Sequence, residues 1–192
     1  MQLVAVCGSP RKEGNTEAAL SLVLKAAAGQ GLGTELIRLC ELDVLGCTAC
    51  GGCRKTKDGA CPGRKDGLDA ILARVFAADA LVVGSPVYFG SATPETLAFL
   101  QRMGYVARGM DANPMAGKPA AGVAIARRAG QNMTLAEIEM CFGPLDMVRA
   151  GSTYWPIGFG CGTGEFPDDE EGVATMQRLG ENLATLAQAL RG

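Results

Sequence analysis

The sequence predicts an α/β domain in three layers, with five parallel strands in a doubly wound sheet of order 2-1-3-4-5 and helices on both faces. Three observations carry that expectation. Strand-length apolar runs alternate with helix-like periodicity along the whole chain. The 192 residues suit one domain with a full core. The composition, 48% hydrophobic and 20% charged, is that of a globular chain. No internal repeat, low-complexity tract or second domain is visible, so residues 1–192 read as a single unit.

The elements follow in order. Gln2 to Cys7 is the first strand and Gly8 to Gly14 a loop. A helix from Thr16 to Gly29 comes next, with Leu20, Val23, Leu24 and Ala27 on one face and Asn15 suited to cap it. Thr34 to Leu39 is the second strand. A Gly- and Cys-rich loop fills about residues 40–65, and Asp66 opens a helix bearing Leu68, Ile71, Leu72 and Val75 at i, i+3, i+4, i+7. Ala80 to Gly84 is the third strand. Pro94 marks a helix start, since the first turn tolerates proline. A flexible connection from Gly104 to Gly117 leads to the fourth strand, Pro119 to Ala126. Leu135 to Phe142 reads as helix and Val148 to Pro156 as the fifth strand. The last helix, Asp168 to Leu190, points Val173, Met176, Leu179, Leu183, Leu186 and Leu190 inward. Parallel neighbours require right-handed crossovers. In the order 2-1-3-4-5 the winding reverses beside strands one and three, so a ligand crevice is expected outside their C-terminal ends.

Charge and composition exclude several functions. A formal net charge of -2 gives no footprint for nucleic acid or an anionic membrane. No apolar run is long enough to span a bilayer, and Met1 leads directly into a strand with no signal-type start, so a cytoplasmic protein is expected. There are no histidines, which removes Ser-His-Asp and Cys-His systems and His-bearing zinc sites. The eight cysteines then read as metal-binding or redox groups rather than a disulfide framework.

Two loops fall at the expected crevice. The first, GSPRKEGNT at residues 8–16, matches neither a P-loop nor G-x-G-x-x-G. Ser9, Asn15 and Thr16 can still donate to an anion, Arg11 can add a bidentate contact, and the helix start supplies free N–H groups. An ordinary polar turn would look the same. The second, GSPVYFG at residues 84–90, places Tyr88 and Phe89 at a strand end, with Gly90 permitting close backbone approach. A flat heteroaromatic ring suits it; so does a simple aromatic cap on the core.

Taken together, the two segments resemble the flavin loops of the NAD(P)H-dependent FMN reductases and iron–sulfur flavoproteins, a flavodoxin-like family. The resemblance implies FMN as cofactor, with Ser9, Arg11, Asn15 and Thr16 at its phosphate. Pro86, Val87, Tyr88, Phe89 and Gly90 would line its isoalloxazine and ribityl groups. A third loop, RRAGQNMT at residues 127–134, is similar to a Gly-Gly-Gln-Glu segment of related proteins at Gly130 and Gln131, and departs from it at Ala129 and Asn132.

Cys47, Cys50, Cys53 and Cys61 form C-x2-C-x2-C-x7-C followed by Pro62. Three thiolates in one run resemble the [4Fe–4S] spacing more than the paired C-x2–4-C of zinc sites. The motif also resembles that of the iron–sulfur flavoprotein branch. Zinc, redox-active disulfides and free thiols remain open alternatives. Cys7, Cys40 and Cys141 read as small core residues and Cys161 as exposed, while Arg102, Arg127 and Arg128 read as solvated surface.

Flavin chemistry asks no acid or base of the protein, so no catalytic side chain is assigned. The resemblance implies two routes. Either NAD(P)H reduces the flavin, which passes electrons to a small-molecule acceptor, or electrons arrive from ferredoxin through the cluster. It also implies a homodimer or homotetramer in which one subunit's cluster loop faces a neighbour's flavin. Two alternatives from other classes stand beside this: a non-enzymatic flavodoxin-like electron carrier, which a net charge of -2 supports little, and a zinc-stapled scaffold without flavin.

Overall fold

The computed structural model describes residues 1–190. Its elements are β1 (Gln2–Cys7), α1 (Asn15–Gly29), β2 (Gly33–Arg38), α2 (Gly52–Thr56), α3 (Leu68–Ala77), β3 (Ala80–Pro86), α4 (Pro94–Ala107), β4 (Pro119–Ala126), α5 (Gln131–Met140), β5 (Val148–Arg149), β6 (Ile157–Phe159) and α6 (Glu170–Leu190). All strand pairs are parallel, in the order β2-β1-β3-β4-β5, with β6 also paired to β4. This is the flavodoxin-like topology expected from the alternation of elements.

Alternation along the central strands builds two cores. Val4, Val6, Leu81 and Val83 face the layer of α3 and α4, while Leu3, Ala5, Ala80 and Val82 face α1 and α6. Leu20, Val23, Leu24 and Ala27 of α1 are buried, as their spacing requires. Gly180 lets α6 sit directly on α1: a Cβ there would collide with the Val23 carbonyl oxygen. Among the described residues no helix is long and apolar enough to cross a membrane.

Several elements differ from the sequence reading. The fifth strand is broken in two. Val148 and Arg149 pair with the start of β4, Ile157 to Phe159 with its end, and residues 151–156 leave the sheet between them. That excursion is tied to α6 by Ser152 Oγ donating to the Thr175 carbonyl (2.6 Å) and by Asn182 Nδ2 donating to the Gly151 carbonyl (2.8 Å). It carries the Tyr154–Trp155 ring pair, centroids 5.0 Å apart. Asn15 lies inside α1, whose cap position is Gly14. Asp66 precedes its helix, which starts at Leu68 after Gly67 in the left-handed region; Asp66 accepts instead from the Leu45 and Leu68 N–H groups. The helix α5 begins at Gln131, four residues early. Leu190 is 52% exposed, because α6 has run past the sheet. The connection after α4 is packed rather than loose: Met115 is fully buried and Asn113 Nδ2 donates to the Leu145 carbonyl at 2.7 Å. Cys40 and Cys141 are only partly buried.

Candidate functional site: a loop cleft and a cysteine cavity

The C-terminal ends of β1 and β3 lie side by side, Cys7 paired with Gly84. The chain winds outward from them in opposite directions, which opens the crevice there. Ser9, Arg11, Asn15, Thr16, Pro86, Val87 and Tyr88 all line this one cleft, so the structure brings the two sequence-predicted loops together. Gly14, Arg127, Gly160, Cys161 and Thr163 complete it, none of which was assigned to it from sequence. Arg127 and the exposed Cys161 reach it through the chain after β4 and the chain after β6, a proximity that only the sheet order creates.

Local chemistry sets the first loop. Ser9 Oγ accepts from the Arg11 N–H at 3.2 Å. The start of α1 has no side-chain cap, which leaves its first N–H groups without the usual partner. Glu17, buried on the first turn, reaches back to accept from the Glu13 N–H (3.0 Å) and takes Arg38 Nε at 2.8 Å in a fork. An acidic residue three positions into a helix, reaching back to a preceding N–H, is a legible signal of this kind. Arg38 hydrogen bonding holds the Glu17 carboxyl below its usual range against the opposing effect of burial. A depressed folded pKa gives stability that is complete above about 4.5 and is lost as pH falls through the folded value. Glu17→Gln is therefore expected to be less stable at neutral pH and to show a flatter stability profile below pH 4.5 than the parent, measured by urea unfolding across pH.

Asn15 has a different job from the one its position suggested. Its Nδ2 donates to the Gly162 carbonyl (2.7 Å) and its Oδ1 accepts from the Gly164 and Phe166 N–H groups, both at 3.1 Å. It therefore fastens the 160–166 segment over the cleft. Asn15→Ala removes three hydrogen bonds worth about 1 kcal/mol each. Faster amide exchange at Gly164 and Phe166, with a loss of about 2–3 kcal/mol in stability, is the expected result.

The second loop is a tight turn. Tyr88 and Ser91 exchange backbone hydrogen bonds (2.8 and 3.1 Å), and both central residues, Phe89 and Gly90, have positive φ. A left-handed phenylalanine is uncommon and carries strain; the turn holds Phe89 fully exposed beside the cleft. Glu137 of α5 clamps the loop, accepting from Ser91 Oγ (2.9 Å) and the Ala92 N–H (2.9 Å). Phe89, Gly90, Gly130 and Gln131 do not line the cleft itself. Gly130 packs against Val87 and the Gly90 backbone, where a Cβ would meet Val87 Cγ1 at 2.8 Å. Gln131 is buried, and its Nε2 has no hydrogen-bond partner among the described residues.

The four cysteines define a second place. Cys47, Cys50, Cys53 and Cys61 all line one cavity of about 280 Å³, closed by Pro62 and by Arg102, Tyr105 and Val106 of α4. Positive φ at Ala49, Gly51, Lys57 and Gly59 coils the loop around it. Gly63 leaves room for Cys50, since a Cβ there would sit 2.8 Å from Cys50 Sγ. The Gly52 N–H and then the Thr48 hydroxyl lower the Cys50 thiol pKa and favour thiolate. By contrast, burial pushes the core Cys7 thiol up to about 11. Among the described residues no three His, Cys, Asp or Glu side chains converge tightly enough to hold a single metal ion.

Arg102 is not surface. Its side chain is 0% exposed and pairs with Asp66 at 5%, Nη1 binding the Asp66 carboxylate and the Leu45 carbonyl (3.2 Å). Burial opposes the Asp66 charge, but hydrogen bonds from Arg102, Leu45 and Leu68 hold its pKa below the ordinary range. Breaking such a pair by removing one partner costs about 3–5 kcal/mol. Nothing in the local sequence announces this. Residues 66 and 102 meet only because the cysteine loop folds back on α4.

The parallel sheet and the cleft at its reversal point define a flavodoxin-like protein. The chain belongs to the NADPH-dependent FMN reductase family, whose model matches residues 1–161. It is similar to Iron-sulfur flavoprotein MJ1083 of Methanocaldococcus jannaschii, 30% identical over 196 residues and covering all of both chains. The iron-sulfur flavoprotein of Methanosarcina thermophila is 26% identical over 191 residues, covering 100% of this chain and 97% of that protein. Among solved structures, RosB with a bound 8-demethyl-8-formylriboflavin-5'-phosphate intermediate superposes with a TM-score of 0.76 at 17% identity, covering all of this chain and 80% of RosB. An archaeal flavodoxin gives 0.64 at 13% identity, covering 98% and 99%.

Proposed function

We propose that this chain is an FMN-dependent oxidoreductase that moves electrons between a flavin in the loop cleft and a [4Fe–4S] cluster on Cys47, Cys50, Cys53 and Cys61. One observation carries the reading: one chain holds two separate cavities, one lined by phosphate-type donors and an aromatic, the other by all four motif cysteines. The name of the relatives, iron-sulfur flavoprotein, supports the pairing.

The residues suit both groups. The uncapped start of α1, with Ser9, Thr16 and Arg11, is a donor set for a phosphate. Asn15 keeps the 160–166 segment in place above it. Pro86, Val87 and Tyr88 line the ring side of the cleft, with Phe89 and Gly90 forming the turn beside it. Gly130 packs against Val87 and the Gly90 backbone of that turn, and the buried Gln131 next to it keeps an amide donor in reserve among the described residues. When bound, FMN exchanges two electrons as hydride with NAD(P)H and a cluster exchanges them singly, which suits conversion between two-electron and one-electron carriers. No side chain of the chain is required to move a proton in this scheme. A single zinc ion suits the cysteines less, because it needs four thiolates about 2.3 Å from one point. Cys47, Cys50, Cys53 and Cys61 would hold a four-iron cluster, which accepts ligands spread around it and would supply one-electron chemistry.

Ferredoxin or a small-molecule acceptor is the expected redox partner, in a homodimer or homotetramer in which a cysteine loop faces a neighbouring cleft. A monodisperse monomer with rapid transfer between both centres would remove that assembly from the scheme. The test of function is stoichiometry after anaerobic purification: about one flavin, four irons and four sulfides per chain. Flavin without iron or sulfide after attempted reconstitution would leave an FMN reductase with a thiol loop.

A further inference from the structure

Arg102 is a charged side chain among the largest that the fold buries completely. A guanidinium carries five N–H donors. Among the described residues, Nη1 is engaged by Asp66 and the Leu45 carbonyl. Among the described residues, Nε and Nη2 are buried and complete no hydrogen bond of normal geometry, although donors are rarely left bare in an interior. Arg102 lines the same cavity as the four motif cysteines. Cys61 lies against the guanidinium, which acts on the thiol both by its charge and by an incipient side-chain hydrogen bond.

Four thiolates and four sulfides form an anionic group made only of acceptors. The three N–H donors on Nε and Nη2, on a side chain that lines the cavity of the cysteines, are its complement. Asp66 occupies only the Nη1 edge and holds the plane of the guanidinium. The geometry points to Arg102 as a hydrogen-bond donor to the sulfur atoms of the cluster, positioned by Asp66 and raising the cluster's reduction potential. This rests on the reading of the cavity as a cluster site. One-electron reduction adds one negative charge and makes or breaks no bond, so a buried cation donating to the sulfurs stabilises the reduced form more than the oxidised form.

The alternative is a purely structural strap between the cysteine loop and α4. The experiment is an anaerobic redox titration with dithionite, followed by electron paramagnetic resonance for the cluster and absorbance for the flavin. It compares the reconstituted parent, Arg102→Met and Arg102→Lys. At the parent's cluster midpoint, the reduced-to-oxidised ratio is expected to fall about tenfold in Arg102→Met, a shift of about 59 mV for one electron. It is expected to fall about threefold in Arg102→Lys, which keeps the charge without the planar donors. The flavin ratio stays within twofold of the parent in both, which a general loosening of the fold would not allow. If Arg102→Met does not fold, the lysine variant decides. A full iron and sulfide complement with an unchanged cluster ratio overturns the role of Arg102 alone. A parent that takes up no iron and sulfide overturns the cluster reading, and this role with it.

Discussion

Replacing Gly8 by alanine is expected to abolish flavin binding and to destabilise the fold by more than about 3 kcal/mol. Gly8 directly follows the first strand and is held from both sides. Its N–H donates to the Gly84 carbonyl at 2.8 Å, and its own carbonyl accepts from Thr93 Oγ1 at 2.7 Å. A Cβ on Gly8 would overlap Thr96 Oγ1 outright and lie 3.0 Å from Thr96 Cβ. Thr93 caps α4, and the fully buried Thr96 hydroxyl is hydrogen-bonded to the same Thr93 Oγ1 at 2.7 Å, so displacing it disturbs the cap. Overpacking typically costs about 1–3 kcal/mol, and here the obstructing atom belongs to a fully buried turn. The displaced backbone is the start of the phosphate-type loop. Equilibrium unfolding and FMN titration read the two effects. Gly8→Ala combined with Thr96→Ala removes the overlapping oxygen and is expected to recover part of the stability. A single alanine variant with parental stability and FMN affinity would contradict this account of the loop.

The second large effect is on the other cavity. Cys61→Ser is expected to reduce iron from about four to below one per chain, with flavin content unchanged. The cavity and the cleft share no lining residue, so losing one centre leaves the other intact. Cys61 is the buried member of the set, its N–H bound to Asp69 Oδ1 at 2.8 Å, so its position is fixed by the fold rather than by the metal. Cys141→Ser, which lies outside the cavity, serves as the control and is expected to retain both. Iron and sulfide unchanged in Cys61→Ser would remove this residue from the ligand set. Parallel loss of flavin would show that the cavities are not independent.

Much of this protein could be read from its residues. The continuous apolar runs Leu3 to Val6 and Leu81 to Val83 and the helical spacing of Leu68 to Val75 determined the elements, and their strict alternation led to the expected strand order. Both loops at the sheet reversal and the cysteine motif were legible because each is a short run of residues, contiguous in the chain. Three arrangements were not legible. Asn15 looks like a helix cap, but it binds a segment nearly 150 positions away, where three backbone groups compete for it more effectively than its own helix. The fifth strand breaks because residues 151–156 are held by α6, a contact no local pattern encodes. Arg102 looks like solvated surface and becomes the buried partner of Asp66, beside the cysteines. Sequence by itself determined the elements, their order and the two loops, because periodicity and turn chemistry act over a few residues. Tertiary structure alone decided which polar groups lose water and which distant donors and acceptors then pair, because burial is set by the packing of segments far apart in the chain.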